Sequence, residues 1–368
     1  MTLENPPFVA EFLPRIQRLS VSIQLAEELE SCSLSSADEL QMTVKGGARY
    51  AFTLPHPVVE VSNLVDFVQN DGFCKTLKLP TPILQSDRVY LDKSNNVLMT
   101  KEPKWDHNEL ARRRSTRSNT LVRCANCGLS LLNLSQVTTL RGMPSEIWAE
   151  MMEYWHCHKP DEGNKTNSTV ERYGNFTPSP GGLLVGPYYF LVDKSILHNV
   201  GEDAECLGCD SVLGETGTSQ NCLKMNKWSL ELYDGNSETF QPYLHALNSL
   251  ENSVGCTSSR YFIVELEKSK LLVWVFGYGI GVSSLFGHGK GVVQQNCLKV
   301  FYTDDEAQIE KFRSEKSQGL ASRELEVLDF PSVVMVDLIE KLRIGTSGIP
   351  DGVRKFGFWN VSYLGPDL

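Results

Sequence analysis

Alternating apolar and polar residues predict strands near both ends of the chain. Three segments of the first hundred residues alternate or are rich in β-branched residues: LSVSIQL, ARYAFTL and DRVYLD. In the last 150 residues a short turn separates two strongly apolar segments, RYFIVELE and KLLVWVFGYG, which predict a β-hairpin. The segments CLKVFYTD and KFGFWNVSYLG predict two further strands.

Two segments of the last 150 residues have helical rather than strand periodicity. QPYLHALNSL predicts one helix. PSVVMVDLIEKLRIG predicts an amphipathic helix with Pro331 at its start and Gly345 at its end. The predicted fold class is therefore α+β, predominantly β.

Changes in composition divide the chain into four predicted regions. A strand-rich N-terminal domain covers residues 1–100, and a polar basic linker follows at 101–120. Residues 121–215 hold the closely spaced cysteines, and residues 216–368 form an α+β C-terminal domain. The linker contains one basic cluster, which we interpret as a solvated segment rather than a docking patch: Arg112, Arg113, Arg114 and Arg117.

Composition and charge exclude several function classes. The net charge of -10 argues against direct nucleic-acid binding, which needs a basic surface. The longest apolar run, Leu271 to Phe276, is too short to cross a bilayer. The first twenty residues lack the apolar core of a signal peptide, so we expect the cytoplasm and nucleus. Ten cysteines in a reducing compartment favour metal ligation over disulfides.

Two C-x-x-C motifs predict one structural zinc ion held by Cys124, Cys127, Cys206 and Cys209. Two intervening residues allow a tight turn to direct both sulfurs at one ion, and four thiolates leave no position open for water or substrate. Gly128 and Gly208 are expected to give these turns their backbone freedom. The alternatives are two unrelated cysteine pairs or a redox motif, but neither pair has the βαβ setting of a thioredoxin-like motif. A RING-type ligase would need eight ligands and is excluded.

A helix predicted from Ser145 presents a cysteine between two histidines. Trp148 and Trp155 fall on one face of this helix, which ends at His156-Cys157-His158 before Pro160. Neighbouring imidazolium or a metal would favour the thiolate of Cys157. Cys157 could be an intramolecular zinc ligand with His158, a catalytic nucleophile, a ligand offered to a metal in a partner protein, or simply a packed thiol.

At these residues the chain resembles the HECT-like E3 ubiquitin ligases, also called ubiquitin-conjugating-enzyme E2-binding proteins. The resemblance covers most of the chain from residue 120 onward. Its motifs are C-x-x-C-G at Cys124, P-S-E-x-W…W-x-C-H from Pro144 to His158, FLVD at Phe190, and C-x-x-C-x-x-x-L-G-E from Cys206. Family members are described as accepting ubiquitin from an E2 enzyme and passing it to substrates.

The resemblance also implies a role in mRNA 3′-end processing. Members are linked to the metallo-β-lactamase endonuclease of the cleavage and polyadenylation machinery. Carried over to this chain, Cys157 with His158 would be the ligand offered to the endonuclease metal. The supporting residues of that segment would be Pro144, Ser145, Glu146, Trp148 and Trp155.

The chain departs from HECT ligases, which form a ubiquitin thioester on a cysteine near the C-terminus. Its last cysteine is Cys297, in a predicted strand where a buried structural role is expected. A true ligase that forms a thioester is therefore the alternative function, and its catalytic residue is not identified.

Three weaker signals are mostly structural in our interpretation. The glycines from Gly277 to Gly291 predict a flexible hairpin loop, because Lys290 lacks the Ser or Thr that follows it in a P-loop. The segment from Cys222 to Trp228 is either an E2-docking strand or an ordinary strand entering the last domain. Five histidines lack ligand spacing and are expected at the surface or satisfied in the core: His56, His107, His198, His245 and His288.

Overall fold

The computed structural model of the protein describes residues 5–59, 64–87, 104–116, 119–143, 177–217, 219–266, 269–286, 291–317 and 325–368. These residues form two compact units. Unit 1 comprises Met1–Lys101 and Ser249–Leu368, and unit 2 comprises Glu102–Asn248. The predicted α+β, predominantly β fold class is confirmed.

The strands in chain order are β1 (Phe8–Leu13), β2 (Arg18–Gln24), β3 (Leu29–Ser36), β4 (Glu39–Val44), β5 (Arg49–Thr53), β6 (Gln69–Asp71), β7 (Cys74–Pro80), β8 (Leu121–Cys124), β9 (Ser130–Asn133), β10 (Thr139–Gly142), β11 (Gly182–Val185), β12 (Tyr189–Asp193), β13 (Gly214–Thr216), β14 (Cys222–Asn226), β15 (Leu230–Tyr233), β16 (Ser237–Thr239), β17 (Tyr261–Leu266), β18 (Ser269–Ser284), β19 (Val292–Thr303), β20 (Leu325–Asp329), β21 (Lys355–Phe356) and β22 (Trp359–Leu364). The described helices are α1 (His107–Thr116), α2 (Tyr243–Cys256), α3 (Glu306–Ser317) and α4 (Ser332–Ser347).

Unit 1 contains a ten-stranded sheet and a three-stranded sheet. The large sheet has the order β21-β22-β19-β18-β1-β2-β7-β6, with β17 pairing β18 and β20 pairing β17, and the small sheet is β3-β4-β5. Alternating apolar residues put Leu19 and Val21 of β2 in one buried cluster with Leu40 and Phe52 of the small sheet. The predicted strands LSVSIQL and ARYAFTL therefore share one core, and the strands of the last 150 residues contribute to a second cluster that includes Val9 of β1. The predicted strand DRVYLD lies outside the described residues from position 88 onward.

The division into units differs from the predicted domains. The sequence predicts separate domains at 1–100 and 216–368, whereas β1 lies between β2 and β18 in the ten-stranded sheet. The register pairs Val9 with Ser284 and Phe12 with Gly281. Such long-range pairing satisfies backbone groups of both segments but leaves no local pattern in either one.

The first part of the glycine-rich segment, up to Gly281, forms a strand rather than the predicted hairpin loop, and residues 287–290 lie outside the described residues. Gly277, Gly279 and Gly281 all lie within β18, whose pairing with β19 has three register shifts between Val275 and Val282. Gly279 has a φ of +66°, which a side chain would strain. Glycine therefore permits bulges in a continuous strand here.

Two predicted helices are present, and one is longer than expected. The predicted helix at QPYLHALNSL is α2, which continues to Cys256, and α4 extends two residues beyond Gly345. A Cβ atom on Gly345 would lie 2.3 Å from Oγ of Ser362 in β22. Gly345 is therefore required for close packing of the helix on the sheet rather than for its end.

Unit 2 contains a five-stranded and a four-stranded sheet. The first has the order β10-β11-β12-β14-β13, and the second has the order β16-β15-β8-β9. β10 and β11 are parallel neighbours, although 39 residues separate Gly142 from Gly182 in the chain. Cys222–Asn226 is β14, a strand paired on both sides within unit 2 and not a strand entering the last domain.

The described residues of the predicted linker, 104–116 and 119–120, belong to unit 2 and make specific contacts within it. Trp105 is fully buried, with its ring 5.7 Å from that of Phe240, and α1 follows it. Nη atoms of Arg113 pair with Asp234 at 3.4 Å and with Glu238, so this side chain is not solvated. Arg114 donates a hydrogen bond to the backbone oxygen of Val137 at 2.9 Å. The polar composition concealed these contacts because they are made with residues distant in the sequence.

No helix in the described part of the chain is long and apolar enough to cross a membrane.

Candidate metal centre

The first C-x-x-C motif forms a tight turn between β8 and β9. Cys124 ends β8 and is fully buried, while Cys127 is exposed. The backbone N–H of Gly128 donates to the oxygen of Cys124 at 2.9 Å, and that of Cys124 donates to the oxygen of Leu129 at 2.9 Å. Gly128 has a φ of +73°, so its predicted conformational role is confirmed.

The second motif forms a similar turn in which an aspartate takes the place of the glycine. The N–H of Asp210 donates to the oxygen of Cys206 at 2.8 Å, as the N–H of Gly128 does in the first turn. Asp210 has a φ of +57°, which Asp tolerates better than most residues. Its position directly after the second cysteine, equivalent to that of Gly128, is the feature of the sequence that indicates a positive φ.

Gly208 is needed for space rather than for a left-handed conformation, contrary to the prediction. A Cβ atom at this position would lie 2.8 Å from Cδ2 of Leu129 and 3.6 Å from Sγ of Cys127. The absence of a side chain therefore allows the second turn to approach the first one closely.

The two turns bring the four predicted ligand sulfurs together. Sγ of Cys124 lies 3.7 Å from Sγ of Cys209, and Sγ of Cys127 lies 3.6 Å from Sγ of Cys206. All four lie within 4.8 Å of one another. A disulfide would need about 2.05 Å, whereas four sulfurs at about 2.3 Å from one central ion would be about 3.8 Å apart. The residues therefore fit a tetrahedral metal ion and not disulfides.

The surroundings of the cysteine sulfurs raise the pKa of two thiols and lower the pKa of a third. Burial raises the pKa of Cys124 and of Cys206. The hydroxyl of Ser211, 3.2 Å from Sγ of Cys209, lowers the pKa of that thiol to about 6, together with Asn126. Asn126 also donates to Oγ of Ser211 at 3.0 Å. Sequence reasoning missed Asn126, inside the first C-x-x-C motif, and Ser211, two residues after the second, which stabilise the thiolate form of Cys209.

The predicted metal-presenting segment lies outside the described residues. This applies to Cys157 and His158 and to the supporting residues Pro144, Ser145, Glu146, Trp148 and Trp155. The described residues on either side of the segment are anchored: the N–H of Met143 donates to the oxygen of Val185 at 2.8 Å. On the other side, the N–H of Gly181 donates to Oδ1 of Asp193 at 3.1 Å. Asp193 belongs to the FLVD motif, which therefore fixes the return of the chain into the sheet.

Four other cysteines in the described part of the chain are buried: Cys32, Cys74, Cys222 and Cys297. Burial raises the pKa of Cys32 to about 12 and raises that of Cys222 and Cys297. A raised pKa and an inaccessible sulfur both disfavour nucleophilic attack. These thiols fit structural roles, as predicted for Cys297.

The histidines that the structure describes do not join the cysteine cluster. Nε2 of His56 is 3.0 Å from Oδ2 of Asp87, and both side chains are buried. The ring of His245 stacks on Tyr188 with centroids 3.5 Å apart. Burial lowers the pKa of His245 to about 4, so the ring is neutral near pH 7. Both are core residues, as expected from their lack of ligand spacing.

Comparison with known proteins agrees with the motif-based resemblance. The family described as HECT-like ubiquitin-conjugating enzyme (E2)-binding matches residues 11–361. An uncharacterized protein of Saccharomyces cerevisiae is 30% identical over 366 residues, which cover 97% of this chain and 98% of that protein. No solved structure matches the chain significantly. Because the family match extends across both compact units and includes the four clustered cysteines, this chain belongs to the HECT-like, E2-binding family.

Proposed function

We propose that the protein binds and blocks the zinc endonuclease of the mRNA cleavage and polyadenylation machinery. In this proposal Cys157, with His158 beside it, supplies a ligand to the active-site metal of the endonuclease. A catalytic zinc keeps an open coordination position, which a partner's thiolate can fill. Filling that position would exclude the attacking water and hold the nuclease inactive. The protein would act in the nucleus as well as the cytoplasm.

The observation that carries this proposal is the anchoring of both ends of the Cys157 segment. Residues before and after the segment lie on β10 and β11, which pair directly, with Thr139 opposite Gly182. The two C-x-x-C turns lie outside these strands in sequence and meet at the metal centre. The ends of the segment are thus fixed to one small sheet, which reduces the entropy lost when a partner binds it.

The metal that we propose for this centre is one structural zinc ion. A set of four cysteine sulfurs is typical of structural zinc, and no fifth side chain in the described part of the chain joins the cluster. The ion would stabilise unit 2 and thereby β10 and β11, which flank the Cys157 segment in the sequence. It would supply no chemistry to a substrate.

We further propose that this protein binds and recruits an E2 enzyme without itself forming a thioester with ubiquitin. The strand Cys222–Asn226, considered above for E2 docking, has both edges paired, and Cys222, Leu223 and Met225 are buried. An E2 enzyme would therefore bind elsewhere on the chain. A true E3 ligase remains the alternative function, and its thioester would require Cys157 or Cys256, since the other cysteines are metal ligands or buried.

Substitution of Cys157 tests the endonuclease proposal. Purified Cys157→Ala protein is expected to lose binding to the endonuclease, while its metal content and melting temperature match the wild type. Cys256→Ala is the matched control, because it removes a thiol that the proposal does not use. Undiminished binding and inhibition by Cys157→Ala would show that the cysteine is not the ligand.

Charging with E2 and ubiquitin tests the alternative. A thioester ligase should give a ubiquitin adduct on a non-reducing gel that disappears with thiol and with either Cys157→Ala or Cys256→Ala. The recruitment proposal expects E2 binding without such an adduct. A cysteine-dependent adduct in the wild type would favour the ligase.

A further inference from the structure

Unit 1 has a pocket of about 310 Å³ where its ten-stranded sheet is interrupted. One edge of β18 pairs with β17 up to Trp274 and with β1 from Gly281 onward. Among the described residues, no strand pairs with 276–280 on that edge. The turn between β1 and β2 and the start of β17 surround the gap, which is the pocket.

The bulges of β18 shape this gap. Its three register shifts with β19 fall between Val275 and Val282, at the same residues that line the pocket. Bulges redirect side chains and are frequent beside binding sites. The pocket is therefore part of the sheet architecture and does not depend on a surface loop alone.

Two arginines with aromatic support give the pocket its charge. The guanidinium carbons of Arg15 and Arg260 lie 4.7 and 5.0 Å from the ring centroid of Tyr278. No carboxylate of the described residues forms an ion pair with either arginine. The acid in the pocket wall, Glu11, is paired with Lys299 at 2.8 Å. The pocket thus presents two uncompensated cations in a protein whose net charge is -10.

Exposed apolar side chains lie beside these cations. Ile16 and Phe276, both in the pocket wall, are 62% and 53% exposed. The ring of Phe276 stacks on Phe301 at 5.0 Å, and Phe301 stacks on Phe356, which is 59% exposed. Aromatic ring contacts therefore continue from the pocket through the buried Phe301 of β19 to Phe356 of β21.

We propose that this pocket binds an acidic peptide segment of a partner protein, with an apolar side chain of that segment seated against Ile16 and Phe276. Arginine held on an aromatic face is suited to bidentate contacts with carboxylates. The apolar wall distinguishes such a peptide from a nucleic-acid backbone, which would present phosphate and sugar without a large aliphatic or aromatic anchor. The proposal uses neither the four clustered cysteines nor Cys157, and it does not rest on the function proposed above.

Selection from a phage-displayed library of random linear peptides on the full-length protein tests the proposal. Peptides that combine Asp or Glu with a large apolar residue should be enriched. Their affinity, measured by fluorescence anisotropy with a labelled selected peptide, should fall about tenfold or more in Arg15→Glu/Arg260→Glu. A charge-reversed peptide, with Lys in place of its acids, should bind that variant better than it binds the wild type.

The control is Arg49→Glu, a charge reversal at an exposed residue of β5 that does not line the pocket. It should leave peptide binding unchanged, and melting temperatures report folding. If the double Glu variant does not fold, Arg15→Gln/Arg260→Gln replaces it. The proposal is wrong if no acidic peptides are enriched, if binding is independent of the two arginines, or if a single-stranded oligonucleotide binds there more tightly than the peptides.

Discussion

Nζ of Lys227 donates a hydrogen bond to the backbone oxygen of Lys104, 3.2 Å away and 123 residues earlier in the chain. A second hydrogen bond, of 3.1 Å, goes to the backbone oxygen of Pro187, and the side chain is fully buried. The rings of Phe190 and Phe240 lie 5.3 and 5.5 Å from Nζ. Burial lowers the pKa of Lys227 to about 7. The amine therefore fastens the segment before α1 to the core of unit 2.

Lys227→Met should change how stability depends on pH. The unfolded lysine, with its ordinary pKa of 10.5, binds more protons than the folded one between pH 7 and 10.5. The wild type should therefore gain stability relative to Lys227→Met as pH rises through this range, by at most about 1.4 kcal/mol per pH unit. Urea unfolding of both proteins over this range measures the difference in their free energies of unfolding. The contributions of other titrating groups cancel in this difference because both proteins share them. Parallel pH profiles would contradict a lowered pKa.

Glu251→Gln should produce the opposite trend. Glu251 lies in α2, only 8% exposed, and burial raises its pKa to about 8. The folded protein then binds more protons than the unfolded chain between pH 4.5 and 8. Wild-type stability relative to Glu251→Gln should fall as pH rises through this range. Glu340→Gln, the same change at an exposed position of α4, is the matched control for the substitution itself.

Removal of a metal ligand should unfold unit 2 selectively. In zinc-finger peptides a structural zinc contributes about 10 kcal/mol or more, comparable with the total stability of a domain. Cys206→Ser should lose the zinc that we propose for this centre, and amide hydrogen exchange should accelerate throughout residues 102–248. Cys222→Ala, which changes a buried cysteine of the same unit, should retain one zinc per chain. Loss of zinc without faster exchange in unit 2 would show that the ion is not structural.

Arg113→Met should destabilise the attachment of α1. Arg113 pairs with Glu109, Asp234 and Glu238, and its side chain is only 19% exposed. Without the arginine these carboxylates repel one another in a partly buried site, which should cost about 2–3 kcal/mol. Arg112→Met, an adjacent change at an exposed position, should cost less than about 0.5 kcal/mol. Urea unfolding measures the free energy of unfolding of both variants, and limited proteolysis near α1 reports whether the helix detaches. Equal losses of stability in the two variants would contradict the prediction.

Features with a local physical cause could be predicted from the sequence. The hairpin of β17 and β18 follows from two apolar segments separated by a short turn, and α4 follows from apolar residues at helical spacing. The four metal ligands follow from the C-x-x-C spacing, since each turn directs its own two sulfurs. The positive φ of Asp210 could also be predicted locally, because Asp210 directly follows the second cysteine of its motif, as Gly128 does.

The sequence alone thus determined the strand-rich fold class, the ligand set of the metal centre and membership of the family, because neighbouring residues or short motifs carry each of these. Only the tertiary structure decided that β1 pairs with β18, that Arg113 and Trp105 are held against unit 2, and that Arg15 and Arg260 share one aromatic ring. Most of these contacts join residues more than a hundred positions apart, as Val9 with Ser284, Arg113 with Asp234 and Arg15 with Tyr278 do. Their energies depend on burial and on backbone pairing across the sheet, which no segment of the chain specifies by itself.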